Sequence, residues 1–143
     1  MDAHFTERTD GQVDVSLGAA WPLFNDALAD SISSLPPRGA PGAGPSTYWI
    51  DVAARGVERA VAAGSDRPFT CGNVTLLRVV GDCVEARFDF AGDDEPSELM
   101  DVDDFRELLR QWRLRVIQGA ARAVHPLPET YRRNGAGPAE EPR

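Results

Sequence analysis

The chain has 143 residues, the usual size of one domain, and an apolar content of 42%, enough for one core. Fifteen basic residues, every one an arginine, oppose twenty-three acidic residues for a net charge of −8, which argues against binding nucleic acid by neutralising phosphates and permits binding to a basic protein. No apolar run reaches the ~18 residues of a membrane helix. The start, Met1-Asp2-Ala3-His4, does not read as a secretory signal, so a cytoplasmic protein with no membrane partner is expected.

The first segment predicts a short hairpin over 4–17. His4-Phe5-Thr6 precedes a turn at Asp10-Gly11, and Val13 to Leu17 alternates with period two. A helix is expected over 20–35, with Pro22 in its first turn and Leu23, Phe24, Ala27, Leu28 and Ile32 on one face. Pro36 and Pro37 should stop it. The Gly- and Pro-rich stretch 36–45 lacks the spacing and the lysine of a phosphate loop, so it reads as a connector. Ser46 suits the N-cap of a second helix over 46–63, ended by Gly64. Its expected apolar face is Trp49, Val52, Ala53, Val57, Ala60 and Val61, with Gly56 allowing a neighbour to approach closely.

The strongest strand signal spans 73–90. Two strands flank Gly81-Asp82, a two-residue connection with glycine first. That turn sets Val79 opposite Val84, Leu77 opposite Ala86, Thr75 opposite Phe88 and Arg78 opposite Glu85. A short third strand over 98–100 leads into a helix over 102–124. There Phe105, Leu108, Leu109, Trp112 and Val116 form an apolar stripe, with the arginines off it. The predicted fold is therefore α+β: a small antiparallel sheet packed against about three helices, as one domain over 1–125. A flexible Pro/Gly/charged tail is expected over 126–143.

Chemistry-bearing patterns are few. Cys71 and Cys83 sit far apart on the predicted hairpin, at ~3.3 Å of rise per residue, beyond the ~7 Å a disulfide spans. Cys71, Cys83, His4 and His125 lack zinc spacing, and the acidic stretch lacks the glycine and ligand order of a calcium loop, so no metal or other cofactor is expected. No nucleophile stands beside a base, and the chain is read as non-enzymatic. Trp21, Trp49 and Trp112, one on each helix, are expected to share the core.

Seven carboxylates between Asp93 and Asp104 are the most informative feature. Asp101, Asp103 and Asp104 have a local cause, since acids favour a helix start. Asp93, Asp94, Glu95 and Glu98 have none in the local sequence and are the candidate partner-binding residues.

The run from Gly72-Asn73-Val74-Thr75-Leu76-Leu77-Arg78 through Gly81-Asp82 to Val84-Glu85-Ala86-Arg87-Phe88-Asp89 continues into Asp103-Asp104-Phe105, Leu108-Leu109 and Trp112-Arg113. Over about residues 46–118 this style resembles the small acidic immunity proteins encoded beside polymorphic toxins in bacteria. The resemblance implies a cytoplasmic inhibitor that binds a cognate toxin domain and blocks its active site; it fixes no binding residue. Two alternatives stand beside it: a structural or adaptor module that docks through its helix faces or forms a homodimer, and a small enzyme using carboxylates or a cysteine. The residues leave the oligomeric state open.

Overall fold

The computed structural model describes residues 2–42, 44–90, 92 and 94–124; Asp93, His125 and the expected tail over 126–143 lie outside the described residues. The chain begins with a hairpin of β1 (His4–Glu7) and β2 (Val13–Ser16), paired antiparallel with Phe5 opposite Val15. Its turn is held by Asp10, whose carboxylate accepts the Gln12 N–H at 3.0 Å, and by Gly11 at φ +87°. An L side chain resists that φ, which is why glycine follows the aspartate there.

Helix α1 (Pro22–Ser31) buries Leu23, Phe24, Ala27 and Leu28 as the spacing predicts. It ends earlier than expected, with Ile32 already extended at φ −128° and ψ 132°. Two facts explain the early stop. Ser31-Ile32-Ser33-Ser34 is a poor helix former. Buried Ser34 is also drawn to the first hairpin, where its hydroxyl accepts the Val13 N–H at 2.9 Å and donates to Gln12 Oε1 at 2.7 Å. Ile32 still fills the core, at 1% exposure.

Helix α2 (Tyr48–Ala63) closes on Gly64 in the left-handed conformation, as the sequence indicates. Its N-cap is Thr47 rather than Ser46, whose hydroxyl instead accepts the Tyr48 N–H at 3.1 Å. The buried stripe is Ile50, Ala53, Val57 and Ala60. The expected face overlaps it but is rotated: Trp49 and Val61 fall at its edges and are 37% and 42% exposed. Gly56 does admit a close neighbour, since a Cβ there would lie 2.9 Å from Phe69 Cβ.

The second sheet has the order β3-β4-β5-β6, all antiparallel: β3 (Thr70–Cys71), β4 (Thr75–Val80), β5 (Cys83–Phe88) and β6 (Glu98–Asp101). The two hairpins stay in separate sheets. The central register is the predicted one, with Val79 opposite Val84, Leu77 opposite Ala86 and Arg78 opposite Glu85. Gly81 supplies the positive φ, +61°, that a two-residue connection needs. One face of this hairpin, Thr75, Leu77, Val79, Val84 and Ala86, is buried. The opposite face carries the Arg78–Glu85 pair at 2.6 Å.

Helix α3 (Val102–Val124) lays Phe105, Leu108, Leu109, Trp112 and Val116 into the same core, none more than 3% exposed. Trp112 also ties α3 to the first hairpin, its indole N–H donating to the Val13 carbonyl at 2.8 Å. Burying the indole is favourable because its one polar group is satisfied. Of the three tryptophans, Trp112 is in the core, Trp21 packs on its edge, and Trp49 stacks edge-on against exposed Tyr48 with ring centroids 4.8 Å apart. The expectation of a shared tryptophan core therefore fails for Trp49, because its side chain projects off the stripe centred on Ile50 and Val57.

Candidate functional site

The acidic run is not one surface. Strand β6 crosses the sheet from Glu98, opposite Ala86, to Asp101, opposite Cys83. Asp94 and Glu95, before it, lie at one end of the β5–β6 hairpin, and Asp101, Asp103 and Asp104 lie at the other, beside the Gly81-Asp82 turn.

Glu98 faces inward. Its two carboxylate oxygens accept the backbone N–H groups of Leu23 and Phe24, at 2.9 and 2.8 Å. Helix α1 has no acid in its first turn, and its N-cap residue Trp21 makes no side-chain cap. A helix N-terminus leaves N–H groups unpaired and carries partial positive charge, and Glu98 satisfies both from 75 residues away. Its local cause was invisible in sequence because it is tertiary. Glu98 serves the fold, and its carboxylate is not displayed.

Asp94 and Glu95 behave differently. Both are exposed, and neither carboxylate makes a hydrogen bond or ion pair with any described residue. The base of their loop is pinned from below: Arg87 donates to the Gly92 carbonyl at 2.8 Å, and the Glu95 N–H donates to the same carbonyl at 3.1 Å. Asp93 lies outside the described residues.

Phe90 belongs with them, and sequence reasoning missed it. The 73–90 reading placed it in a strand, but β5 ends at Phe88, and Phe90 stands 85% exposed. Pairing with β4 ends where the Asp89 N–H donates to the Val74 carbonyl at 2.8 Å. Beyond that point the chain turns into the acidic loop and carries the ring out of the sheet. The signal in the sequence was the glycine and acid content immediately after Phe90, which favours turn over strand.

At the other end of the hairpin, Asp82, Asp101 and Asp103 gather around a shallow cavity of about 320 Å³, with Arg106 on its wall. Asp103 pairs with Arg106 at 2.8 Å, whereas Asp82, Asp101 and Asp104 are exposed and make no side-chain bond to a described residue. Among the described residues, no three His, Cys, Asp or Glu side chains are grouped as a metal ion would require.

Both cysteines are free. Cys71 pairs across to Leu76 and Cys83 to Val80, four residues apart on β4, which keeps the sulfurs beyond bridging range. The Cys71 thiol pKa is raised, first by loss of solvent around the sulfur and then by the nearby Asp89 charge. That is the opposite of what activates a nucleophile.

One further carboxylate organises this region. Asp30, at the end of α1, accepts the N–H groups of Asn73, Val74 and Thr75 at 2.9 to 3.2 Å and the Thr75 hydroxyl at 2.9 Å. These bonds, led by that from Val74, lower its pKa. Gly72 makes room: a Cβ there would run into the Asp30 carboxylate.

No family model, curated protein or solved structure matches this chain.

Proposed function

We propose that the protein is a non-catalytic binding protein of the immunity type, an inhibitor that presents Phe90 with Asp93, Asp94 and Glu95 to a basic partner such as a toxin domain. One observation carries this reading: an aromatic ring 85% exposed stands four residues before Asp94 and five before Glu95, whose carboxylates make no bond to a described residue. A ring held in water gains on being covered, and aromatic anchors flanked by charge are the usual energetic centre of an interface. The carboxylates stay hydrated until a partner's arginines or lysines arrive, so they speed encounter and set orientation. Asp82, Asp101 and Asp104 add a second negative field at the other end of the sheet.

The raised Cys71 pKa keeps that thiol protonated, which weighs against it as a nucleophile. No helix among the described residues is long and apolar enough to cross a membrane.

The test is binding to the purified product of the adjacent gene, with growth rescue when the two are co-expressed. Tight binding that weakens with salt and with Phe90→Ala is expected. Unchanged affinity for both Phe90→Ala and the triple variant Asp93→Asn, Asp94→Asn, Glu95→Gln would rule this surface out as the contact.

A further inference from the structure

Helices α2 and α3 run antiparallel, Asp51 meeting Arg113 and Glu58 meeting Arg106, with a groove of about 580 Å³ lined by both. Two ion pairs fix the helices, Glu58 with Arg106 at 2.8 Å and Asp51 with Arg113 at 2.9 Å. The pairs are seven residues apart on each helix, so they brace ~10 Å of its length at 1.5 Å per residue. The groove lining is largely apolar: Ala54 and the aliphatic stems of the arginines are its accessible part, over Ile50, Val57 and Leu109, which the core already buries to 3% exposure or less.

The rim reverses the charge of the protein. Five of the fifteen arginines line the groove, Arg55, Arg59, Arg106, Arg110 and Arg113, against two carboxylates, Asp51 and Glu58. Asp103 and Glu107 reach Arg106 and Arg110 from outside the groove, so the five arginines meet four carboxylates, a local excess of one positive charge in a chain of net charge −8. Arg106 is committed to Glu58 and Asp103, and Arg110 to Glu107. Arg55 and Arg59 are exposed and make no side-chain bond to a described residue, so the fold does not use them. Their spacing of four puts both on one edge of α2. On α3, Arg106, Arg110 and Arg113 share a stripe with Ile117, which is 41% exposed.

We propose that this groove docks an acidic amphipathic helix of a partner protein, its apolar stripe on Ala54 and the aliphatic stems of the groove arginines and its carboxylates on Arg55 and Arg59. The inference is independent of the acidic surface. Charge and shape select the occupant. A rim with excess arginine takes an anionic segment, and a straight trough between two helices takes a rod rather than a flat bilayer. A second copy of this chain brings a net charge of −8 but, among the described residues, no acidic helix whose apolar stripe the core leaves free. The two ion pairs hold the backbones of both helices in place, so docking need order only the Arg55 and Arg59 side chains.

The experiment titrates the protein with a labelled synthetic helical peptide of about sixteen residues, leucines along one stripe and glutamates on both flanks. A peptide with lysine in place of every glutamate is the control. Saturable binding of the glutamate peptide is expected, with amide shifts at Ala54, Leu109 and Ile117. Arg55→Glu with Arg59→Glu should weaken it ~10-fold or more, and the milder Arg55→Gln with Arg59→Gln should weaken it less. Circular dichroism checks that both variants fold. Absence of saturable binding, equal affinity for the lysine peptide, or equal affinity of the double variants would overturn the proposal. So would groove-dependent self-association in sedimentation velocity, or tighter binding to phosphatidylglycerol vesicles than to the peptide.

Discussion

The junction where α1 meets the second sheet and the loop between β5 and β6 use the same functional group to opposite ends. At the junction, Asp30 and Glu98 turn their carboxylates inward, and each accepts backbone N–H groups that would otherwise lack partners. In the loop, Asp94 and Glu95 turn outward and accept nothing from the described residues. Counting acids along the chain does not separate these roles; what separates them is whether the fold brings a donor to the carboxylate. A charge that secures the fold is expensive to remove and irrelevant to a partner. A charge left in water costs the fold little when it is removed, and so is free to serve binding.

That contrast can be broken most forcefully at Gly72. Gly72→Ala should expel the Asp30 carboxylate, and Asp30→Ala removes it; each is expected to destabilise by ~2–4 kcal/mol in urea unfolding. Because both changes remove one interaction, the double variant should cost little more than either alone. Glu98→Ala comes next, at ~1–2 kcal/mol, by leaving the α1 N-terminus uncapped. The pH dependence follows from Asp30. Its pKa is depressed in the folded state, so its contribution is present above the ordinary aspartate value of ~3.9 and is lost as pH falls through the lower folded value. Asp30→Asn should flatten stability across that acidic range. The smallest effect on stability belongs to Asp94→Asn with Glu95→Gln, within ~0.5 kcal/mol of the parent.

Much of the frame was legible in the chain. Gly81-Asp82 closes its hairpin in two residues, and with a side-chain period of two that fixes every cross-strand pair from Thr75–Phe88 to Val79–Val84. The stripe from Phe105 to Val116 leaves α3 one way to face the core. Helix α2 was less determinate: Ile50 and Trp49 compete for the same edge of the stripe, and the fold buries Ile50 and leaves Trp49 37% exposed. β3 is two residues long and carries no periodicity to read.

The candidate site was half legible. The run of acids could be seen, and so could the surplus at Asp93 to Glu95. Glu98 could not be told apart from them, since its donors at Leu23 and Phe24 are 75 and 74 residues distant. Phe90 was hidden by its strand-like composition. The arginine groove was hidden because its clamps join residues 48 and 62 positions apart.

The most direct measurement is the association rate with the adjacent gene's product at low and at high salt, for the parent and for Asp93→Asn, Asp94→Asn, Glu95→Gln. An acidic docking surface predicts slowing by ~10-fold in the triple variant at low salt and a flatter salt dependence, with unfolding unchanged. Equal rates and equal salt slopes for the two proteins would contradict it.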